Sequence, residues 1–116
     1  MTIRFDEMDL SVLPAFKGGE KEFKANMFFD GTNRIFRGTL IPGATIGIHT
    51  HEASCEVIFI LSGNGTILEK GPEEADFKSA PVRPGDCLYC QKGWTHSLQN
   101  TDGAEDLVFY AVVPQQ

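Results

Sequence analysis

Turn signals divide this chain into short segments, and their spacing constrains the fold more than any other feature of the sequence. They lie at Asp30-Gly31, Pro42-Gly43, Ser62-Gly63-Asn64-Gly65, Gly71-Pro72, Pro84-Gly85 and Asp102-Gly103. The segments between them are rich in β-branched and aromatic residues, and we predict strands at 33–41, 44–51, 55–61, 65–69 and 107–113. Many short strands between such turns predict an all-β sandwich or barrel. Any helix is expected to be brief and to lie within residues 6–13, before Pro14.

Size and charge narrow the possible partners. The 116 residues suffice for one domain with a real core. A net charge of −6 argues against a nucleic-acid-binding surface. No apolar run approaches the roughly 20 residues that cross a membrane. The N-terminus lacks the apolar stretch of a secretory signal, and three cysteines, an odd number, fit reduced thiols, so a cytoplasmic protein is expected.

Strand periodicity places two histidines on one face of the segment 44–51. Side chains two apart in a strand share a face, so His49 and His51 point the same way, together with Thr45 and Gly47. The next strand follows a short loop and is expected to be a neighbour. One of its faces carries Glu56, Ile58 and Ile60. The opposite face carries Val57, Phe59 and Leu61 and is also apolar, so a further strand or a partner molecule must cover it.

The three histidines of the chain and one glutamate form a candidate ligand set. His49 and His51 can reach one ion, Glu56 can return to the same place after the loop, and His96 lies on a later strand. Imidazole and carboxylate ligands suit divalent Fe, Mn, Ni, Co or Zn. A structural zinc site would instead be a closed tetrahedron rich in cysteine.

These residues carry a resemblance to the cupin superfamily. Gly43-x5-His49-x-His51-x4-Glu56-x6-Gly63 is similar to the first cupin motif at every fixed position. Gly85-x5-Gln91-x-Gly93-x2-His96-x3-Asn100 resembles the second, with Gln91 in place of a proline. The resemblance implies a small single-domain cupin over residues 1–116. Residues 1–32 would form an N-terminal arm and strands, and residues 33–114 a double-stranded β-helix, or jelly-roll, barrel. It also implies that His49, His51, Glu56 and His96 hold the metal and that the protein is a homodimer.

The resemblance leaves several functions open. The first is an enzyme of dioxygenase, isomerase or lyase type that acts on a small polar metabolite through the 3-His/1-Glu metal centre. The second is a non-catalytic binding or sensor protein for a small molecule. The third is a cupin that folds without metal, which would leave costly buried polar groups. Candidates for the pocket wall are Thr45, Gly47, Ile58, Ile60, Trp94, Arg37 and Tyr89.

Overall fold

The computed structural model describes residues 1–101 and 104–116, and within them the chain is built from strands. The ten strands are β1 (Ser11–Pro14), β2 (Glu22–Phe29), β3 (Asn33–Leu40), β4 (His49–Thr50), β5 (Glu56–Ser62), β6 (Gly65–Lys70), β7 (Lys78–Val82), β8 (Cys87–Cys90), β9 (Thr95–Gln99) and β10 (Leu107–Pro114). Two 3₁₀ turns, Phe5–Glu7 and Phe16–Gly18, accompany them. No helix in the described part of the chain is long and apolar enough to span a membrane.

The strands form two antiparallel sheets that face each other. One sheet has the order β1-β2-β3-β10-β5-β8, and the other has the order β4-β9-β6-β7. Apolar side chains fill the space between the sheets, with Phe23, Phe36 and Phe109 packed ring against ring at 5.9–6.2 Å. This two-layered antiparallel arrangement confirms the predicted jelly-roll barrel. The predicted turn at Asp102-Gly103 lies outside the described residues.

Four of the five predicted strands are present, and each of their ends lies within one residue of its predicted position. The segment 44–51 differs, because only His49 and Thr50 form a strand. Its first half divides its hydrogen bonds between two partners. The Ile46 N–H donates to the Leu98 carbonyl of β9 at 2.9 Å, whereas the Thr45 and Gly47 N–H groups donate to the Glu20 and Phe16 carbonyls of the N-terminal region, both at 3.0 Å. Strict alternation of side chains therefore starts only at His49.

One further expectation holds in part, and another is wrong. Within residues 6–13 the only helical part is the end of the first 3₁₀ turn, and Ser11 begins an edge strand that pairs with β2. Strands β4 and β5 are not neighbours, since each lies in a different sheet. The loop between them therefore crosses from one sheet to the other, and this crossing positions the site described next.

The turn before β9 forms without the proline of the cupin motif. The Trp94 N–H donates to the Gln91 carbonyl at 2.9 Å, and Gly93 adopts a φ of +89°. A positive φ at the third position is the signature of a type II turn, where glycine is favoured. After β9, the buried Asn100 side chain donates to the carbonyls of Leu40 and Glu105, both at 2.8 Å, and so ties this end of the barrel together.

Candidate metal centre

Four side chains from three strands and one loop converge between the two sheets. His49 on β4 stands directly opposite His96 on β9 in the antiparallel register. Thr50 points away and is exposed, so His51, just beyond β4, returns to the His49 side and is buried. Glu56 begins β5 in the other sheet and is also buried. The crossing loop thus closes the site from the opposite side.

The donor atoms of these four residues lie close together. The Nε2 atoms of His51 and His96 are 3.1 Å apart, and each lies 3.0–3.1 Å from Oε1 of Glu56. His49 Nε2 lies 3.1 Å from His96 Nε2. One donor atom from each residue falls within 4.8 Å of all the others. The structure therefore brings together all four residues of the predicted ligand set.

Two hydrogen bonds hold the rings of His49 and His51 on the side that faces away from the cluster. Nδ1 of His49 lies 2.8 Å from the Gly47 carbonyl, which can only accept, so Nδ1 carries the proton. The Nε2 lone pair of His49 therefore points at the cluster. Nδ1 of His51 lies 2.8 Å from the hydroxyl of buried Ser54. Contacts of this kind orient metal-binding histidines in known metal sites.

The ionisation of the site suits a cation. Burial disfavours the charged imidazolium and lowers the pKa of His49 to about 4. Burial alone would raise the pKa of Glu56, but hydrogen bonds from His51 and His96, with the charges of those rings, lower it to about 2. At neutral pH, His49 is therefore a neutral base and Glu56 an anion. Both are in the form that binds metal.

The spacing of the donors fits a transition-metal ion. Metal–nitrogen and metal–oxygen bonds of about 2.1 Å place adjacent ligands about 3.0 Å apart in an octahedron and about 3.4 Å apart in a tetrahedron. The four short separations here are 3.0–3.1 Å. The residues present thus fit one ion with room for further ligands.

The cluster lines one side of a cavity of about 470 Å³. The rest of the wall is mostly apolar, and much of it comes from the N-terminal part of the chain. Apolar lining residues are Leu13, Phe16, Phe23, Met27, Phe36, Ile46, Ile58, Leu98 and Val113. Ser11, Lys17 and Arg34 add polar groups, and all three are exposed. Among the described lining residues, Glu56 is the only carboxylate.

Of the predicted pocket-wall residues, Ile58 lines this cavity. Thr45 and Gly47 do not, because the irregular segment before β4 turns Ile46 inward in their place. The Thr45 hydroxyl instead accepts a hydrogen bond from the Glu20 N–H at 2.8 Å. Ile60, two residues beyond Ile58, belongs to the hydrophobic core.

The other three candidates are also corrected. Trp94 packs its ring against Gly71, where the neighbouring strands β9 and β6 begin and end. Arg37 lies on the outer face of the six-stranded sheet, where its guanidinium pairs with Asp6 at 2.8 Å. Tyr89 is more than half exposed on the outer face of β8. One residue of strand register separates the inside from the outside, so the sequence alone could not assign these side chains.

Comparison with known proteins decides the family. A sequence model described as Cupin_2, the cupin domain, matches residues 36–113, more than half of the chain. This chain is a cupin. A relative named "Oxalate-binding protein" from Thermotoga maritima is 31% identical over 97% of this cupin and 93% of the relative. A glucose-6-phosphate isomerase from Thermococcus gammatolerans is 36% identical over 57% of this cupin and 34% of that enzyme.

Solved structures agree with the fold. The crystal structure of a predicted oxalate decarboxylase from Thermotoga maritima has a TM-score of 0.87 to this cupin, with 30% identity and both chains covered completely. A cupin domain from Schizosaccharomyces pombe has a TM-score of 0.75 at 11% identity, over 100% of this chain and 70% of the other. The second similarity shows the barrel alone.

Proposed function

We propose that this cupin holds one divalent transition-metal ion and uses it to bind a small chelating carboxylate. The observation that carries the proposal is the convergence of His49, His51, Glu56 and His96 at 3.0–3.1 Å beside a cavity. When bound, the ion would supply Lewis-acid attraction for oxygen ligands. Oxalate is the first candidate ligand, since the relative from Thermotoga maritima carries oxalate binding in its name.

The charge of the cavity favours an anion. Lys17 and Arg34 are lining residues, and a divalent ion would outweigh the single negative charge of Glu56. The guanidinium of Arg34 offers paired donors that match a carboxylate. A carboxylate ligand would therefore meet positive potential both at the metal and along the wall.

Binding without turnover fits the cavity better than catalysis. General acid–base chemistry needs a group that gives or takes a proton near the reacting atoms. Apart from the four donor residues, Lys17 and Arg34 are the only ionisable side chains among the described lining residues. An arginine guanidinium serves as a fixed cation rather than as a proton donor. The site thus offers strong attraction for an anion and few groups for proton transfer.

Turnover is the second candidate function. The similar structure from Thermotoga maritima is called a predicted oxalate decarboxylase, and decarboxylation would require a proton at carbon. Lys17, which is exposed and lines the cavity, is the side chain that could deliver it. A lyase of this kind would use the same metal and the same anion-binding wall.

The proposal is tested with tag-free protein. Elemental analysis should find one divalent transition metal per chain, and calorimetry should detect oxalate binding to metal-loaded protein but not to protein stripped with a chelator. Glu56→Gln should lose both metal and oxalate, while the matched variant Glu52→Gln, on the exposed loop, should keep both. Equal oxalate binding to stripped and loaded protein would contradict the proposal. Formate or carbon dioxide released from oxalate would support the second candidate.

A further inference from the structure

The cavity beside the metal centre is much larger than oxalate requires. Its volume of about 470 Å³ corresponds to roughly fifteen water molecules in the liquid. Oxalate consists of two joined carboxyl groups and would displace only a few of these waters. The remainder would stay in contact with an apolar wall, which is unfavourable. The unfilled volume therefore points to a ligand with more apolar surface than oxalate.

Part of this apolar wall comes from β1 and β2, at the edge of the six-stranded sheet opposite to β5. The four donor residues come from β4, β5, β9 and the loop before β5, whereas Leu13, Phe16 and Met27 come from β1, the second 3₁₀ turn and β2. Met27 pairs in register with Phe36, which itself lies in the cavity wall. A ligand chelated by the metal would therefore direct its free substituent toward these side chains.

The strand register shows where the apolar wall lies relative to the metal cluster. Met27, Phe36, Ala111 and Ile58 form one continuous row across β2, β3, β10 and β5. Ile58 lies two residues beyond Glu56 on the same face, a distance of about 7 Å along the strand. The apolar row thus begins at Ile58, one step from the metal cluster, and extends away from it across β10, β3 and β2.

The cations lie at the open side of the same cavity. Arg34 on β3 pairs with Val113 on β10. On the other side of β10, the preceding residue Val112 pairs with Val57 on β5. Arg34 and Glu56 therefore lie at the same level, on either side of β10. Its guanidinium lies 4.3 Å from the Phe29 ring, and Nζ of Lys17 lies 5.6 Å from the Phe16 ring. Positive charge at the rim and apolar surface beyond it together select an anion with an apolar body.

Much of this wall belongs to the part of the chain that the family match does not include. Seven of the sixteen described lining residues precede residue 36, where the match begins. They are Ser11, Leu13, Phe16, Lys17, Phe23, Met27 and Arg34. The metal cluster lies inside the match, whereas four of the nine apolar lining residues and all three exposed polar ones lie before it.

We propose that the preferred ligand is a 2-oxo or 2-hydroxy acid with an alkyl or aryl side chain. Its carboxylate and adjacent oxygen would bind the metal, and its side chain would pack on Leu13, Met27 and Phe36. This proposal rests on the metal-dependent carboxylate binding proposed above and specifies which carboxylates bind best.

A homologous series of 2-oxo acids measures the contribution of the side chain directly. Calorimetry of manganese-loaded protein with pyruvate, 2-oxobutanoate, 2-oxopentanoate and 2-oxohexanoate keeps the chelating head constant. Each buried methylene should tighten binding about fourfold, so 2-oxohexanoate should bind at least tenfold more tightly than pyruvate. It should also bind more tightly than oxalate.

Two variants on one strand locate the side-chain site. Leu13→Phe fills the cavity from β1 and should reduce the affinity ratio of 2-oxohexanoate to pyruvate to threefold or less. Val12→Phe adds the same ring on the exposed face of that strand and should keep the wild-type ratio. Met27→Ala removes contact from β2 instead and should also lower the ratio, which provides a second test if Leu13→Phe fails to fold.

The outcomes separate this inference from the proposed function. If oxalate and all four 2-oxo acids bind metal-loaded protein with affinities within twofold of one another, the apolar wall takes no part and the inference is overturned, while metal-dependent carboxylate binding stands. If none of the five acids binds, the proposed function fails and the inference fails with it. A ratio that falls equally in Leu13→Phe and Val12→Phe would also contradict the inference.

Discussion

Ser54 lies outside the candidate ligand set but contacts one of its members, so we expect it to affect the affinity for a metal ion. Its hydroxyl is buried and lies 2.8 Å from Nδ1 of His51, on the side of the ring away from the cluster. Without this contact the ring can rotate or take the other tautomer, which withdraws the lone pair from the site. Partners of this kind contribute 10- to 100-fold to metal affinity.

We therefore expect Ser54→Ala to bind metal about tenfold more weakly than the wild type. Competition with a chromophoric chelator measures this affinity. Ser79→Ala, which makes the same change at an exposed position of β7, serves as the control and should bind metal normally. Unchanged metal affinity in Ser54→Ala would show that the crossing loop alone orients the His51 ring.

At the scale of single residues, the sequence predicts the four clustered side chains better than it predicts the side chains around them. The spacing of His49, His51, Glu56 and His96 identified all four clustered residues, because motif spacing records positions that a barrel must bring together. It did not identify Ser54 or Ile46. Alternation of side chains holds only in a regular strand, and the segment before His49 divides its hydrogen bonds between β9 and the N-terminal region. Packing between distant segments decides such positions, and no local pattern encodes it.

At the scale of the elements, the turn between β2 and β3 sets the register of the cavity wall. The carboxylate of Asp30 accepts hydrogen bonds from the Thr32 and Asn33 N–H groups at 2.9 and 2.7 Å. It also accepts one from the Asn33 side chain at 3.1 Å. These bonds, first of all those from the backbone, hold the pKa of Asp30 well below its usual range. The charged form thus stabilises the hairpin that pairs Met27 with Phe36.

The pH dependence of this turn follows from the lowered pKa. A carboxyl group with a lower pKa in the folded state stabilises the protein above its unfolded pKa, about 3.9, and loses this effect as the pH falls toward the folded value. Asp30→Asn should therefore lower the thermal midpoint at pH 7, and the difference from the wild type should shrink below pH 4. Melting curves of both proteins from pH 7 to pH 2.5 measure this difference. A constant difference across that range would show that the charge has no role.

The sequence predicted some strands well and missed others, because local signals mark only some of them. Turn signals placed β3, β5, β6 and β10 to within two residues, since glycine and proline act on the backbone locally. The edge strand Ser11–Pro14 was taken for a possible helix, because a short exposed strand carries little periodicity. It exists through its pairing with β2, and that pairing brings Leu13 into the cavity wall. The half of the site formed by the three histidines and Glu56 was thus readable from sequence, whereas the opposite wall was not.

At the scale of the whole molecule, the outer face of the six-stranded sheet carries a large apolar area. Phe59, Leu61, Tyr89 and Tyr110 are 48%, 41%, 55% and 37% exposed. Tyr110 pairs in register with Phe59, so the apolar surface runs across adjacent strands. The first 3₁₀ turn covers only part of it, with the ring of Phe5 stacked on Tyr110 at 5.4 Å. Exposed patches of this kind mark sites of protein–protein contact.

We expect a second copy of the chain to cover this face, because a sheet face that is apolar on several strands can pair with itself about a two-fold axis. A stable dimer of standard size buries about 800 Å² on each partner. Phe59→Glu places a charge in the middle of this face and should give a monomer. Phe77→Glu, which puts the same charge on an exposed phenylalanine elsewhere, should leave the dimer intact. Light scattering at micromolar concentration distinguishes the two states, and a wild-type protein that is monomeric under those conditions would leave the outer face available to a different partner.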